Sequence, residues 1–336
     1  MAPELSIIIV NYKTPQLTVG CLQSVYSQTS NISIEVIVVD NDSADNSREI
    51  MCSVYPQIQW LQMGYNAGFA RANNEGIRQS AGEVVLLLNS DTLNHDNAIE
   101  KCFGLFQSST YIACGVQLLN ADGSPQISGN YFMRGSLNNL LPLPYIGNFI
   151  KFLGNTMSVK KANIPSADSL VEVDWINGAF LMVKKTAINK AGLMDEDFFL
   201  YAEEAEWCSR LKTEGELCLY GQFKVIHLQG ASANKTFASS GQGYYNLYDR
   251  KGLQIMLSNF VRIRKQLGFS WYFFHLLVFS AAVPVFFVLG ILENLFLLHN
   301  PFNHFRAAAG FAANIGRLWV YTPTIISNKP HFYKVI

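Results

Sequence analysis

The ten residues Glu83 to Thr92, E-V-V-L-L-L-N-S-D-T, constrain the fold more tightly than any other stretch of the chain. Val84 to Leu88 show no polar alternation, the pattern of a strand covered on both faces in a parallel sheet between helices. Such sheets bind ligands beyond the carboxyl ends of their strands, which sets Asp91 at the mouth of a site. A carboxylate there, followed by Thr92, suits a divalent cation holding a phosphate, because hard oxygen donors match Mg2+ or Mn2+. The competing reading is that Asp91 and Thr92 only cap the next helix.

The same rhythm precedes it. Leu5 to Val10 is apolar and β-branched and breaks at N-Y-K-T-P, a helical stretch passes through Cys21 and Val25, and Glu35 to Val39 reads as a buried strand ending at Asp40. A strand, helix, strand unit of this kind crosses over right-handed. A helix is expected around Arg48 to Val54, a short strand at Ile58 to Leu61, and a helix from Gly68 to Ser80. The alternation predicts an α/β domain with a mostly parallel sheet flanked by helices.

Beyond Thr92 the pattern loosens. Ile112 to Leu119 reads as a strand, N-A-D-G-S-P from Asn120 as a turn, Gly135 to Asn155 as a mobile loop, and Val171 to Val183 as a strand interrupted at Asn177 and Gly178. An acidic helix start at Ala202 to Glu206, cations at Arg210 and Lys212 and a stop at Gly215 mark one helix. Phe223 to Ile226 is a short strand leading into His227.

The last third changes character. Phe269 to Leu292 contains no Asp, Glu, Lys or Arg and approaches the length of a bilayer-spanning helix, with Pro284 and Gly290 inside it. Arg262, Arg264 and Lys265 precede it, which by the positive-inside rule sets its leading end in the cytoplasm. A span, a kinked or re-entrant hairpin in one leaflet, and a soluble buried helix all fit this run. Phe302 to Trp319, carrying Arg306 and Arg317, suits an interfacial helix or an amphipathic helix on the preceding domain. From Arg250 onward nine basic residues stand against a single acid, Glu293, a balance suited to an anionic surface.

Zero formal net charge gives no sign of a nucleic-acid partner. Six cysteines without a C-x-x-C pair or zinc-like His spacing read as core thiols in a reducing compartment. The amino terminus passes from A-P-E-L-S into a strand without signal-peptide regions, so export is not expected.

Three clusters fall where strands end: Asn11 with Asp40, the loop from Gly64 to Gly76, and N-S-D-T at Asn89. Together they can hold a nucleotide, with Asp40 accepting from a base or ribose, Gly68 allowing close backbone approach and Arg71 pairing with phosphate. The glycines form neither G-x-G-x-x-G nor a Walker loop, so a dinucleotide fold and a P-loop are unsupported. Glu203, Glu204 and Glu206 open the acidic helix, where the macrodipole alone would favour them and Glu206 to Arg210 is an ordinary i,i+4 pair. A carboxylate there can also take a proton from an incoming hydroxyl. His227 is either structural or, with Asp91 and diphosphate oxygens, part of a manganese site, and Lys235 then meets the leaving phosphates.

Taken together, V-N-Y-K-T, V-V-D-N-D-S-A-D-N-S, N-A-G-F-A-R-A-N-N-E-G, L-L-L-N-S-D-T, W-I-N-G-A-F-L-M-V, F-F-L-Y-A-E-E-A-E-W-C-S-R-L and H-L-Q-G-A-S closely resemble family 2 glycosyltransferases. Within that family they are most similar to the bacterial rhamnosyltransferase-like enzymes that build cell-surface polysaccharides. The resemblance spans residues 4 to 235 and implies a GT-A, Rossmann-like fold, a nucleotide-diphosphate sugar donor, a divalent metal (Mg2+ or Mn2+) and inversion at the anomeric carbon.

By position, it implies that Asn11, Asp40, Asn66, Gly68, Arg71, Asn74, Asn89, Ser90 and Lys235 line the nucleotide sugar, Asp91 and His227 bind metal, and Glu204 is the base. Trp175, Asn177, Gly178 and Glu203 would shape the sugar and acceptor pocket. Two departures stand out: the family's D-x-D reads N-S-D, with an uncharged Asn89, and its Glu-Asp pair reads Glu203-Glu204. The Q-x-x-R-W motif of processive synthases is absent, which favours adding one or a few sugars.

The implied organisation is a nucleotide-sugar-binding half over 1–100, an acceptor and catalytic half over 101–240, and an apolar, basic, membrane-associated helical region over 241–336. A lipid-linked glycan acceptor would explain that last region and would place the enzyme on the cytoplasmic face of the bacterial inner membrane, peripheral, monotopic or single-span. A homo-oligomer stays open. The alternatives are a galactofuranose, hexose or N-acetylhexosamine donor, a catalytically silent scaffold of the same fold, and a nucleotidyltransferase.

Overall fold

A computed structural model of the chain describes residues 2–157, 159, 162–228, 237, 239 and 246–335. Four parallel strands, β1 (Leu5–Asn11), β2 (Ile34–Asp40), β3 (Gln59–Gln62) and β4 (Val84–Asn89), lie in the order β3-β2-β1-β4. Helices α1 (Pro15–Ser27), α2 (Ser47–Val54) and α3 (Gly68–Gln79) connect them. Alternate strand residues feed two cores, because successive side chains of a strand point to opposite faces. Ile7, Ile9, Val36, Val38, Leu86 and Leu88 pack with Cys21, Leu22 and Met51, while Ile8, Ile37, Val39, Val85 and Leu87 pack with Ala70, Ala72 and Ile77. Both faces are covered by helices, which is why these strands read as unbroken apolar runs.

The chain continues through β5 (Thr92–Asn94), α4 (Ala98–Gln107), β6 (Ala113–Leu119), β7 (Gly129–Asn130), α5 (Ile146–Thr156), β8 (Leu170–Val173), β9 (Trp175–Ile176) and β10 (Phe180–Lys184). Then follow α6 (Lys185–Ala191), α7 (Glu203–Leu211), β11 (Leu217–His227), α8 (Arg250–Leu267), α9 (Phe269–Phe296) and α10 (Phe305–Ser327). The sheet extends in the order β4-β10-β6-β11-β5. Strand β10 is antiparallel to both neighbours, β6 and β11 are parallel, and β5 is antiparallel to β11. Only Ser90 and Asp91 separate β4 from β5 in sequence, yet three strands separate them in the sheet. The second half of the sheet therefore curls back until its far edge meets the end of β4.

Four sequence expectations are corrected here. Thr92 opens a strand rather than capping a helix, because it pairs with His227 and the next helix begins only at Ala98. Val171 to Val183 is three short strands in different places, with β8 on β11, β9 on β7 and β10 inserted between β4 and β6. Phe223 to Ile226 is the end of the longer β11, whose register against β6 shifts between Tyr220 and Lys224. Gly135 to Asn155 contains helix rather than loop: a 3-10 segment over Arg134–Leu140, kinked at Gly135 and Ser136, and then α5. All six cysteines are free thiols, five buried and Cys52 half-buried.

The chain divides into two compact units. The first, Met1–Phe132, Asn163–Phe199 and Glu203–Ser232, holds the nine-stranded sheet. The second comprises Met133–Ala162, Leu200–Ala202 and Ala233–Ile336. Its central helix α8 is capped by Asp249, whose Oδ1 accepts from Gly252 N at 2.9 Å. Phe260 of α8 meets the rings of Tyr272 and Phe279 edge-on at 5.5 and 5.1 Å, and Tyr272 shares a 2.8 Å hydrogen bond with Thr322, so α8, α9 and α10 form one packed bundle.

Two helical glycines test this packing in opposite senses. A Cβ on Gly76 of α3 would lie 2.5 Å from Ile8 Cγ2, whereas a Cβ on Gly104 of α4 meets nothing within 4 Å. Gly76→Ala is expected to destabilise by about 1–3 kcal/mol through overpacking. Gly104→Ala is expected to stabilise by about 0.5–1 kcal/mol through helix propensity. Chemical denaturation of the two variants checks the pair, and equal effects would contradict the packing described.

Candidate active site

The pairing of β5 with β11 brings together two residues far apart in sequence. Thr92 pairs with His227, and Leu228 N donates to Asp91 O at 2.9 Å. As a result His227 Nε2 lies 3.3 Å from Asp91 Oδ1 and 3.3 Å from Asn89 Nδ2, with both Asp91 and His227 buried. The other imidazole nitrogen, Nδ1, is 2.9 Å from Gln126 Oε1. Gln126 Nε2 donates to His227 O at 2.7 Å and to Asn120 Oδ1 at 2.8 Å, which fixes the amide with its oxygen toward the ring. A carbonyl oxygen only accepts, so Nδ1 carries the proton, and in the neutral ring the Nε2 lone pair points at Asp91 and Asn89.

That arrangement fits a divalent cation by its donor chemistry: one carboxylate oxygen and one imidazole lone pair converge, and the opposite ring nitrogen is held by a hydrogen bond in the manner usual for metal-bound histidine. Among the described residues no group of three or more His, Cys, Asp and Glu side chains is placed to hold a metal. Sequence reasoning named Asp91 and His227 and missed Gln126. Its only signal was its place just after the Asn120 turn, and its partner lies a hundred residues on.

The loops after β1 and β2 form the adjoining wall. Asn11 Nδ2 donates to Asp40 Oδ1 at 2.7 Å and to Ser43 Oγ at 3.0 Å. Asp40 also accepts from Ser43 N, Ser43 Oγ and Gln62 Nε2 at 3.0, 2.6 and 2.8 Å. The carboxylate is thereby engaged in bracing its own loop. Thr14 precedes α1 without capping it. Its hydroxyl instead lies 3.4 Å from both Asn11 Oδ1 and Ser90 Oγ, joining the ends of β1 and β4. Lys13, Asp42 and Ala44 all have left-handed φ (56°, 64° and 52°), the uncommon backbone state that clusters at functional loops.

Asn41 ties this wall to the Gly64–Gly76 segment: its Nδ2 donates to Asn66 Oδ1 at 3.1 Å and its Oδ1 accepts from Ala67 N at 2.7 Å. Gly68 has φ +76°, and a Cβ there would sit 2.2 Å from Phe199 O. The close approach that Gly68 permits is thus to the chain's own backbone, whose Phe199 O accepts from Phe69 N at 2.8 Å. Arg71 Nε donates to Glu196 O at 2.9 Å, and Asn74 exchanges hydrogen bonds with Met194 backbone at 2.9 and 3.0 Å. Both side chains hold the 194–199 segment. Lys235 lies outside the described residues.

Glu203 and Glu204 are buried at the start of α7. Glu206 is set apart from them by a bidentate pair with Arg210, both bonds 2.8 Å, while Arg210 also donates to Ala191 O and Leu193 O. Burial, and next the charge of Glu204, push the Glu203 carboxyl well above the usual carboxylate range. Its Oε2 is buried without a hydrogen-bond partner. Gly178 connects the acidic helix to the metal-side turn. A Cβ there would lie 3.6 Å from Glu204 Cβ and 3.5 Å from Phe69, and the next residue, Ala179, accepts from Asn89 N at 3.1 Å. Asn177 fixes this turn, its Oδ1 accepting from Ala179 N at 2.9 Å. Trp175 is half-buried nearby on β9, with Nε1 buried and without a hydrogen-bond partner.

With this geometry in view, the comparisons are direct. Residues 6–163 match the profile of glycosyl transferase family 2. The chain is 31% identical over 258 residues to the low-salt glycan biosynthesis hexosyltransferase Agl10 of Haloferax volcanii, covering 74% of this chain and 75% of that one. It is 25% identical over 255 residues to the N-acetylglucosaminyl-diphospho-decaprenol L-rhamnosyltransferase of Mycobacterium tuberculosis, covering 71% and 80%. The mannosyltransferase PcManGT of Pyrobaculum calidifontis, solved with GDP-Man and Mn2+, superposes with a TM-score of 0.55 at 14% identity, covering 96% of this chain and 88% of that one. The shared fold is GT-A.

Two measurements follow from the buried network. Gln126→Leu removes the acceptor that holds Nδ1–H, so the His227 15N chemical shifts should move from one tautomer to a mixture. Unchanged shifts would show that Gln126 does not set it. Glu203 has a folded-state pKa raised above its unfolded value, so the stability it contributes is present below the unfolded pKa and lost as pH rises through the folded one. Glu203→Gln should therefore raise Tm at pH 8 relative to the parent and leave Tm at pH 4 nearly unchanged; the opposite ordering would contradict the assignment.

Proposed function

Because the chain belongs to glycosyl transferase family 2, we propose that it is an inverting, non-processive enzyme that moves a sugar from a nucleotide-diphosphate donor to a hydroxyl of a lipid-linked glycan acceptor at a membrane surface. Its glycosyltransferase class follows from the family. The observation that carries the finer reading is the meeting of Asp91 with His227 Nε2 at 3.3 Å, on the strand end whose Asn89 N donates to Ala179 O, next to Gly178. Rhamnose is the first donor sugar to test, supported by the decaprenol-linked rhamnosyltransferase relative. A hexose stands beside it, since the relative at 31% identity is a hexosyltransferase.

In this reading Asn11, Asn66, Asn89 and Ser90 face the nucleotide, while Asp40, Arg71 and Asn74 brace the loops that shape its pocket. Asp91 and His227 would hold Mg2+ or Mn2+, with Gln126 accepting from Nδ1 and so leaving Nε2 as the donor nitrogen. Bound there, the cation supplies stabilisation of negative charge on the departing diphosphate. Asn89 adds no charge, so the cation's formal neutralisation by protein falls to Asp91 alone. Lys235 is assigned to the leaving phosphates.

Glu204 takes the proton of the acceptor hydroxyl as that oxygen bonds to the anomeric carbon, and the bond to the diphosphate breaks on the opposite face, inverting the centre. Burial and the neighbouring Glu204 raise the Glu203 carboxyl, since two adjacent buried carboxylates resist ionising together. Trp175, Asn177 and Gly178 border the sugar, and the absence of a side chain at Gly178 opens the space between Phe69 and Glu204.

Mass-spectrometric screening of nucleotide sugars with a lipid-pyrophosphate acceptor identifies the donor by its mass increment. Glu204→Gln is expected to lower kcat by about 10²- to 10⁴-fold. Mn2+ binding to the same variant should stay within about twofold of the parent, and transfer at the parent rate would remove the assignment of the base.

A further inference from the structure

In the second unit the apolar run Phe269–Leu292 does not behave as a free-standing helix. Along α9 the buried face is Tyr272, His275, Leu276, Phe279, Ala282, Phe286, Gly290 and Asn294, a spacing of three and four that keeps one side packed, with Phe287 against Phe305 of the returning chain. Phe260 of α8 contacts it at Tyr272 and Phe279, and Tyr248, which precedes α8, contacts it at Phe286 with ring centroids 5.6 Å apart. Helix α8 carries Lys251, Gln254 and Arg262, side chains that are rare within hydrocarbon, and α9 is held by α8 as far as Phe279 and by Tyr248 before it at Phe286.

What remains of α9, Phe287–Phe296, is about ten residues or ~15 Å of helix. A span needs about 20 residues for a core of about 30 Å, whereas ~15 Å is the depth of one leaflet. This end is also where apolar exposure concentrates. Leu295, Phe296, Leu297 and Leu298 are 51, 88, 51 and 94% exposed, followed by Phe302 and Phe305 at 63 and 54%. Four consecutive residues exposed on all sides of a hairpin end form a projecting apolar tip rather than the single stripe that a partner helix would cover.

Its charges fit the same occupant. The one carboxylate near the tip, Glu293, accepts from the Tyr145 hydroxyl and lies 3.8 Å from His304 Nε2, so it is not left bare. Tyr145 is the residue before α5, which exposes Phe149, Phe152 and Leu153 (61, 65 and 41%) with Lys151 among them. Arg306 stands exposed immediately behind the tip at the start of α10. Apolar tip and flanking cations together match an anionic bilayer surface.

We propose that the hairpin end Leu295–Phe305, with α5 beside it, inserts into a single leaflet of an anionic membrane and does not cross it. The proposal rests on the membrane-surface part of the function above and replaces its open choice between peripheral, monotopic and spanning with the monotopic mode. It also accounts for the outward apolar side of α5: lipid, not protein, covers Phe149, Phe152 and Leu153.

The test uses the full chain with vesicles of phosphatidylcholine and phosphatidylglycerol at three to one. In flotation, the triple substitution Phe296→Ser, Leu298→Ser and Phe302→Ser should lower the vesicle-bound fraction about tenfold with Tm nearly unchanged, because the three side chains are largely exposed and only Phe302 makes a ring contact, to Phe305 at 6.4 Å. In a Cys52→Ser background, where the remaining thiols are buried, Leu298→Cys carrying an environment-sensitive dye should shift to the blue on vesicle addition. Spin-labelled lipids of the outer leaflet should quench it, and a quencher trapped inside the vesicles should not.

Parent-like flotation of the triple variant overturns the proposal while leaving membrane binding in place. Quenching from the vesicle interior overturns it in favour of a span. Concentration-dependent dimerisation abolished by the same three substitutions overturns it in favour of a second copy. Absence of vesicle binding by the parent removes the membrane-surface reading as well, without touching sugar transfer, since neither donor nor acceptor enters the assay.

Discussion

The antiparallel pairing of Thr92 with His227 is the contact on which the rest of the site depends. It forces the sheet to close on itself, since β5 leaves β4 after two residues and docks at the far edge. Closure sets Asp91 against His227, and the same turn receives the Ala179 carbonyl that leads to Gly178 and Glu204. Because side chains alternate along a strand, a one-residue slip in this short pairing would turn His227 away from Asp91. Gln126 guards the register from the other side by bonding both the ring and the backbone of His227.

Around that contact the chain relies on amides more than on charges. Asn11, Asn41, Asn66, Asn74, Asn89 and Gln126 each direct a hydrogen bond between segments that approach from different parts of the sequence. An amide offers a donor and an acceptor at fixed geometry without the desolvation cost of a buried ion, so such networks rigidify loops cheaply. Of the acids buried in this unit, Asp40 and Glu206 are engaged by Ser43, Gln62 and Arg210, which sets them apart from Asp91, Glu203 and Glu204. The substitution of Asn89 for an acid, which looks like a loss in sequence, becomes intelligible as part of this amide frame: its Nδ2 faces His227 Nε2.

The parallel half of the fold was legible because each of its strands is covered on both faces and each crossover is local. Leu5 to Val10, Glu35 to Val39 and Val84 to Leu88 carry their own burial in their composition. The mixed half was not. β5 has three residues and a partner more than a hundred positions away, β10 is threaded between strands that precede it, and no local pattern encodes either. Of the site, Asp91, His227 and the acidic helix were visible as residue types at strand and helix ends. Gln126, Asn41 and Ser43 were invisible because their roles are hydrogen bonds to distant backbone and side chains. The helix α5 escaped because Gly147, Asn148, Gly154 and Asn155 within it read as loop residues.

The central claim, that imidazole 227 and carboxylate 91 share a cation, is open to one direct measurement. Electron spin-echo envelope spectra of Mn2+ added to the protein with a nucleoside diphosphate report nitrogen in the first coordination sphere. The account predicts a 14N modulation characteristic of imidazole that disappears in His227→Ala and persists in Glu204→Gln. Bound Mn2+ without any such nitrogen coupling, or with coupling that survives the loss of His227, would contradict it.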